Sequence, residues 1–237
     1  MNKRIEDTIE LGNVKDEYLL KNKELRKLIE FKIGKTNIEK EDLINIQDII
    51  LDGKDIIGNA NIIYFEELKL FPNLKEIEIK NTNIPDEYIK YLEKIEDISL
   101  KNCELTNIEQ LEKITRLSIN NTKIDNIEKI SNLKNITELE FINIELDNFL
   151  FLKNLEKLKT LRIKNVKNFT MEKIDFILPI EYLSIEGVEQ INLENIQKYS
   201  NLKMFSIDRR KEKEWNKDLE KLREKGIKIL LNDIYEY

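Results

Sequence analysis

The chain has 237 residues, with 40 Lys and Arg against 46 Asp and Glu, a formal net charge of -6 at pH 7, and no His. An imidazole general base, a Ser–His or Cys–His dyad and an imidazole metal ligand are therefore excluded. The single Cys, Cys103, excludes an intrachain disulfide and a thiolate zinc site. Ile, Lys, Asn and Glu crowd the sequence while Gly and Pro are scarce, the bias of an AT-rich bacterial or phage coding sequence.

The first residues, Met1 to Asp7, place no apolar stretch behind the basic pair Lys3-Arg4, so no signal peptide is read there. No apolar run approaches the roughly 20 residues of a membrane span. A cytoplasmic protein with no membrane contact is expected. Residues 1–27 carry Val14, Tyr18, Leu19, Leu25 and Leu28 at helical spacing among Lys and Glu. They predict an amphipathic helix that caps whatever follows.

From residue 28 a repeat sets in. Leu28, Phe31, Ile33, Thr36 and Ile38 fit L-x-x-L-x-L-x-x-(N/T/C)-x-L, and Ile46, Ile49, Leu51 and Ile56 fit it again. Residues 57–73 are an insert, in which Ile62, Phe65, Leu68 and Leu70 suggest an outer helix. The pattern resumes at Leu74, Ile95 and Ile114, then runs through Ile136, Leu158, Ile180, Leu202 and a last copy holding Ile227, Ile229 and Ile234. Ten copies are counted, and from Ile114 onward the expected step is a constant 22 residues. Self-similarity at such a period marks a solenoid, in which each unit buries its apolar edge only against its neighbours.

Positions four and six of the motif differ by two, so both point to one side of a short strand, and positions three, five and seven point to the other. Parallel stacking at about 4.8 Å makes ten copies a sheet on the order of 45 Å long. The remaining dozen residues per copy return the chain. Short helices are expected at 86–92, 108–111, 149–158, 171–178 and 215–223, with Asp86 and Thr170 as N-caps.

The sequence resembles the leucine-rich repeat family over residues 28–237, most closely its short 22-residue bacterial class, internalin-like and phosphatase-regulator-like. The resemblance implies an α/β solenoid: a curved leucine-rich repeat with a parallel β-sheet on the concave face and short helices on the convex face. It also implies a protein-binding scaffold rather than an enzyme, with no cofactor. The ninth position, where the family favours Asn, departs from the pattern. It is Thr36, Thr82, Cys103 and Thr122 early and Ile144, Val166 and Val188 later, so the later turns must satisfy their backbone by other means. Cys103 at that position reads as buried filler. Asn81, Asn102, Asn121, Asn143 and Asn165 stand at position eight in five successive copies and read as turn formers.

Candidate binding residues are those facing outward. Position three carries Glu30, Asp48, Glu76, Asp97, Arg116, Glu138, Thr160, Tyr182 and Met204. Position five carries Glu78, Glu140, Arg162 and, in the last copy, Lys228; position seven carries Ile142 and Leu230. Stacked Glu30, Asp48, Glu76 and Asp97, with Glu78 beside them, repel one another, which predicts a protein partner with a basic surface. Ile142, Arg162, Tyr182 and Met204 suit a protein interface. An alternative is an inhibitor or immunity-type protein whose acids block a nucleic-acid-handling enzyme. Direct nucleic-acid binding is not expected of an acidic chain. Carboxylate-only glycoside chemistry, with Glu138 and Glu140 or Glu76 and Glu78, would need a pocket that a flat sheet lacks. Trp215, Leu219 and Leu222 read as the packed face of the last helix, and Arg209-Arg210-Lys211 as a solvated turn. The last strand is an edge open to pairing. Oligomeric state stays open.

Overall fold

The computed structural model describes residues 19–55, 65–188 and 191–233. Val14, Tyr18, Ile56, Ile62 and Ile234 lie outside the described residues. The described elements are α1 (Lys23–Ile33), α2 (Lys40–Ile44), β1 (Asp48–Asp52), β2 (Glu76–Lys80), β3 (Asn83–Ile84), α3 (Asp86–Ile89), β4 (Asp97–Lys101), β5 (Glu104–Leu105), β6 (Arg116–Asn120), β7 (Lys123–Ile124), β8 (Glu138–Ile142), β9 (Thr160–Lys164), β10 (Tyr182–Glu186), β11 (Met204–Asp208), α4 (Glu212–Glu224) and β12 (Lys228–Asn232).

Among these, one parallel sheet runs β1-β2-β4-β6-β8-β9-β10-β11-β12, and a second, short one runs β3-β5-β7 along its rim. The register follows the repeat: Ile77 stacks on Ile98, Leu117 on Leu139, Leu161 on Leu183 and Leu183 on Phe205. Positions four and six are buried on every strand from β1 to β11. They form one continuous core with the apolar residues of the return segments. The long sheet is thus the sum of five-residue strands, none of which has a core of its own.

Three expectations are corrected. Leu28, Phe31 and Ile33 do not open a first strand; they lie in α1, which crosses residues 27 and 28. Asn22 accepts from the Leu25 N–H at 2.8 Å, and Gly34 closes the helix at φ 74°, its N–H donating to the Glu30 carbonyl. A capping side chain at one end and a left-handed glycine at the other define a helix more strongly than three apolar residues define a strand. Buried Glu67 accepts from the N–H groups of Lys21 and Asn22 at 2.6 and 3.1 Å and fixes the entry to α1.

Second, the constant step fails at the end. Met204 pairs with Lys228 and Phe205 with Ile229, so the last step is 24 residues, where Tyr182 to Met204 is 22. Lys228 therefore stands at position three and Leu230 at position five. The return is lengthened by α4, which buries Trp215, Leu219 and Leu222 as expected.

Third, most returns are single 3-10 turns. They occupy Phe65–Leu70, Ile108–Gln110, Ile127–Asn132, Leu150–Asn154, Met171–Ile174 and Leu193–Lys198. Segments of three to six residues are the usual length of 3-10 pieces. Pro85, not Asp86, is the N-cap of α3, and Thr170 stands at an N-cap but makes no side-chain capping bond.

Candidate functional site: the outward wall of the long sheet

The register places Asp48, Glu76, Asp97, Arg116, Glu138, Thr160, Tyr182, Met204 and Lys228 in one row across the sheet. Glu78 and Glu140 lie in the next row with Ile50, Ser99, Ser118, Arg162, Ser184, Ser206 and Leu230. Ile142 ends β8 in the third row. Glu30 is not on the wall, because it belongs to α1.

The acids of the wall are already partnered. Lys32 on α1 pairs with Asp48. The guanidinium of Arg116 lies 2.5 Å from Asp97 and 3.5 Å from Glu76. Lys80 lies 3.0 Å from Glu78, and Arg162 lies 3.4 Å from Glu138. Ser118 donates to Glu140 at 2.7 Å. Burial nevertheless pushes the Asp97 carboxyl above its ordinary pKa, against the pull of Arg116, with Glu76 and Glu138 adding to the rise. Sequence reasoning saw the column of like charges but missed Arg116 as its hub. The available signal was Arg116 as the one base in that column between Asp97 and Glu138.

Further along, the wall changes character. The Arg162 guanidinium lies over the Tyr182 ring, 5.0 Å from its centroid. Ile142, Tyr182 and Met204 are half-buried, and Ser184 and Ser206 form a sunken floor between the rows. Asn232 donates to Ser206 at 2.8 Å and to Glu186 at 2.5 Å, while Ser184 donates to Glu186 at 2.9 Å. At the N-terminal end Ile50 is 48% exposed on the same wall. No group of three or more Cys, Asp or Glu among the described residues is arranged to hold a metal ion. No described helix is long and apolar enough to cross a membrane.

Next to the wall, position eight does more than turn the chain. Asn81, Asn102, Asn121, Asn143 and Asn165 are all left-handed, with φ between 43° and 54°. Their side chains bond from rung to rung, Asn102 to Asn81 and Asn121 to Asn102 at 2.8 Å, and Asn165 to Asn143 at 3.0 Å. The recurrence of Asn at one offset was the signal for this ladder. In the basic turn, Arg209 pairs with Asp233, Arg210 with Asp208 and Lys211 with Glu214.

An internalin, InlF, from Listeria monocytogenes superposes with a TM-score of 0.58 at 19% identity, over 80% of this chain and 57% of that one. The chain has the leucine-rich repeat fold. It is similar to the bacterial, internalin-type form of that solenoid and spans little more than half the length of the InlF chain. Internalin C2 of the same organism gives a TM-score of 0.49 at 21% identity, over 79% of this chain and 93% of that one. A leucine-rich repeat protein of Leptospira interrogans gives 0.48 at 16%, over 81% and 56%. No protein-family model and no curated protein matches the sequence.

Proposed function

We propose that this leucine-rich repeat chain is a non-enzymatic protein-binding scaffold that docks its partner on the outward wall of the long sheet. The observation that carries this is the set of half-buried Ile142, Tyr182 and Met204 on the outward wall, at positions that contribute nothing to the core, with Arg162 stacked on Tyr182. Aromatic and Arg side chains on a rigid frame supply contact area at little entropic cost. Glu76, Glu78, Asp97, Arg116, Glu138 and Glu140 form the polar continuation of that surface. Because Lys32, Lys80, Arg116 and Arg162 already neutralise most of the acids, the electrostatic reason for a basic partner weakens. The inhibitor reading loses its premise with it and is not carried forward.

The test uses the partner recovered on immobilised wild-type chain and titrated against variants. Replacing Ile142, Tyr182 and Met204 together by Ala should weaken binding at least ~30-fold, the scale of a lost hot spot of about 2 kcal/mol. Reversing Glu76, Glu78 and Asp97 to Lys should weaken it less. Leu150→Ala, on the return segment after β8 and 57% exposed, should have no effect. Unchanged binding by the apolar triple variant would remove this wall as the docking face.

A further inference from the structure

Three rows of hydrogen bonds bind neighbouring copies along the rim, and all three change at the same place. In the row of position-nine side chains, the Cys103 sulfur donates to the Ile79 carbonyl of the preceding copy at 3.2 Å, and the Cys103 N–H donates to Thr122 Oγ1 at 3.1 Å. The next residue in that row is Ile144, which has no acceptor for the Thr122 N–H. In the asparagine row, Asn81 donates to Asp52 at 2.7 Å, Asn102 to Asn81 and Asn121 to Asn102. Asn143 then turns away from Asn121 and donates to Asn120, a residue on β6, at 3.3 Å.

In the short sheet, the Lys123 N–H donates to the Cys103 carbonyl at 2.9 Å and the Asp125 N–H to the Leu105 carbonyl at 3.1 Å. By the same register, Glu145 and Asp147 would donate to Thr122 and Ile124. Neither bond forms among the described residues. Glu145 instead pairs forward with Lys167, whose N–H reaches the Ile144 carbonyl at 2.9 Å. An open groove of about 420 Å³ separates the two sides, lined by Thr122, Ile124, Ile127, Ile144 and Leu146. On the wall side, β6 and β8 remain paired over all five residues. On the return side, Ile127–Asn132 packs against Leu150–Asn154.

We infer that this line is a joint. The solenoid consists of two stiff blocks, one ending at Asp125 and one beginning at Asn143, hinged along the β6–β8 ladder and free to open at the rim. The rungs on either side carry a backbone bond at the rim, Lys123 to Cys103 before the line and Lys167 to Ile144 after it; the rung across the line has none, and keeps its sheet bonds and the one long side-chain bond from Asn143 to Asn120. Packed interfaces that lack cross-bonds are where sub-global opening concentrates. Opening there changes the curvature of the wall between Arg116 and Glu138 without breaking a strand. The joint stands whether or not that wall is the docking face.

Paired spin labels on the full chain test it. Asn83, Lys123 and Lys167 are exposed and occupy the same position in their copies. Labels at 83 and 123 therefore span two copies within one block, and labels at 123 and 167 span two copies across the line, about 10 Å in each case. Buried Cys103 does not compete for a thiol label. The pair across the line should give a distance distribution at least twice as wide as the pair within the block. Ile144→Thr, which supplies the missing acceptor, should narrow it towards the within-block width. Equal widths for the two pairs in the otherwise native chain would overturn the joint, and that comparison decides even if Ile144→Thr does not fold.

Discussion

The two blocks of the solenoid solve one problem in two ways. Each copy from β2 to β10 leaves the long sheet through a tight left-handed turn, and the backbone groups of that turn need partners or shelter. Between Thr82 and Asp125 they find hydrogen bonds, from Thr122, from the Cys103 sulfur to the Lys101 carbonyl and from the short sheet β3-β5-β7. From Asn143 onward the corresponding inward residues are Ile144, Val166 and Val188, and aromatic packing takes over. Phe149 is fully buried, with Phe169 at 5.2 Å and Phe141 and Phe151 at 6.3 Å between ring centroids. A single sheet can thus cross from a polar rim to an apolar one without a change in strand register. The exchange costs the bonds that would have joined the two rims.

The largest expected effect breaks the apolar solution. Phe149→Ala removes the centre of that ring cluster and should destabilise the chain by about 3–5 kcal/mol, the range for a buried aromatic. Denaturant titration followed by the fluorescence of Trp215, the single Trp, reads the loss from the block that contains it. A loss below ~1 kcal/mol would mean the cluster is not what holds the second block.

A smaller effect separates sterics from backbone conformation. Gly187 continues the asparagine row at φ 63°, and a Cβ there would collide with the Asn165 side chain. Gly226, at φ 81° after α4, has open space around it. Gly187→Ala should cost the left-handed penalty of about 1–3 kcal/mol plus that of displacing Asn165. Gly226→Ala should cost only the former. Equal losses in midpoint would show that the Asn165 rung yields freely.

Most of the core was legible in the sequence, because a residue returning in phase at positions four and six can only be read as one face of a stacked strand. Ile49 and Leu51 through Phe205 and Ile207 all lie where the repeat places them. What escaped was set by local competition. Leu28, Phe31 and Ile33 suit either a strand or a helix, and the caps Asn22 and Gly34 decide for the helix. The register of β12 slipped by two because α4 is a 13-residue helix in place of a single turn. On the wall, the residue types were legible but their pairing was not. Whether Arg116 reaches Glu76 and Asp97 depends on side-chain reach across three strands, which one-dimensional spacing does not encode.

The smallest effect sharpens the contrast between the charged and the aromatic ends of the wall. At neutral pH, Arg116→Gln should cost no more than about 1 kcal/mol, as for other partly exposed pairs. Its pH dependence is the informative part. Asp97 sits above its ordinary pKa through burial, and Arg116 is the cause that opposes the rise. A carboxyl raised in the folded state favours folding while protonated. That contribution is full below its unfolded value, about 3.9, and is lost as pH rises through the folded value. Removing Arg116 lifts the folded value further, so the deficit is largest at pH 7 and closes as pH falls below the folded value, where Asp97 is protonated with or without its partner. Arg162→Gln should behave differently. Its stacking on Tyr182 does not depend on a carboxylate, so part of its deficit should persist below that folded value. Denaturant midpoints for both variants at pH 7 and below that value give the comparison. Deficits that close in parallel would mean that the ring under Arg162 adds nothing, and that both ends of the wall are held by charge alone.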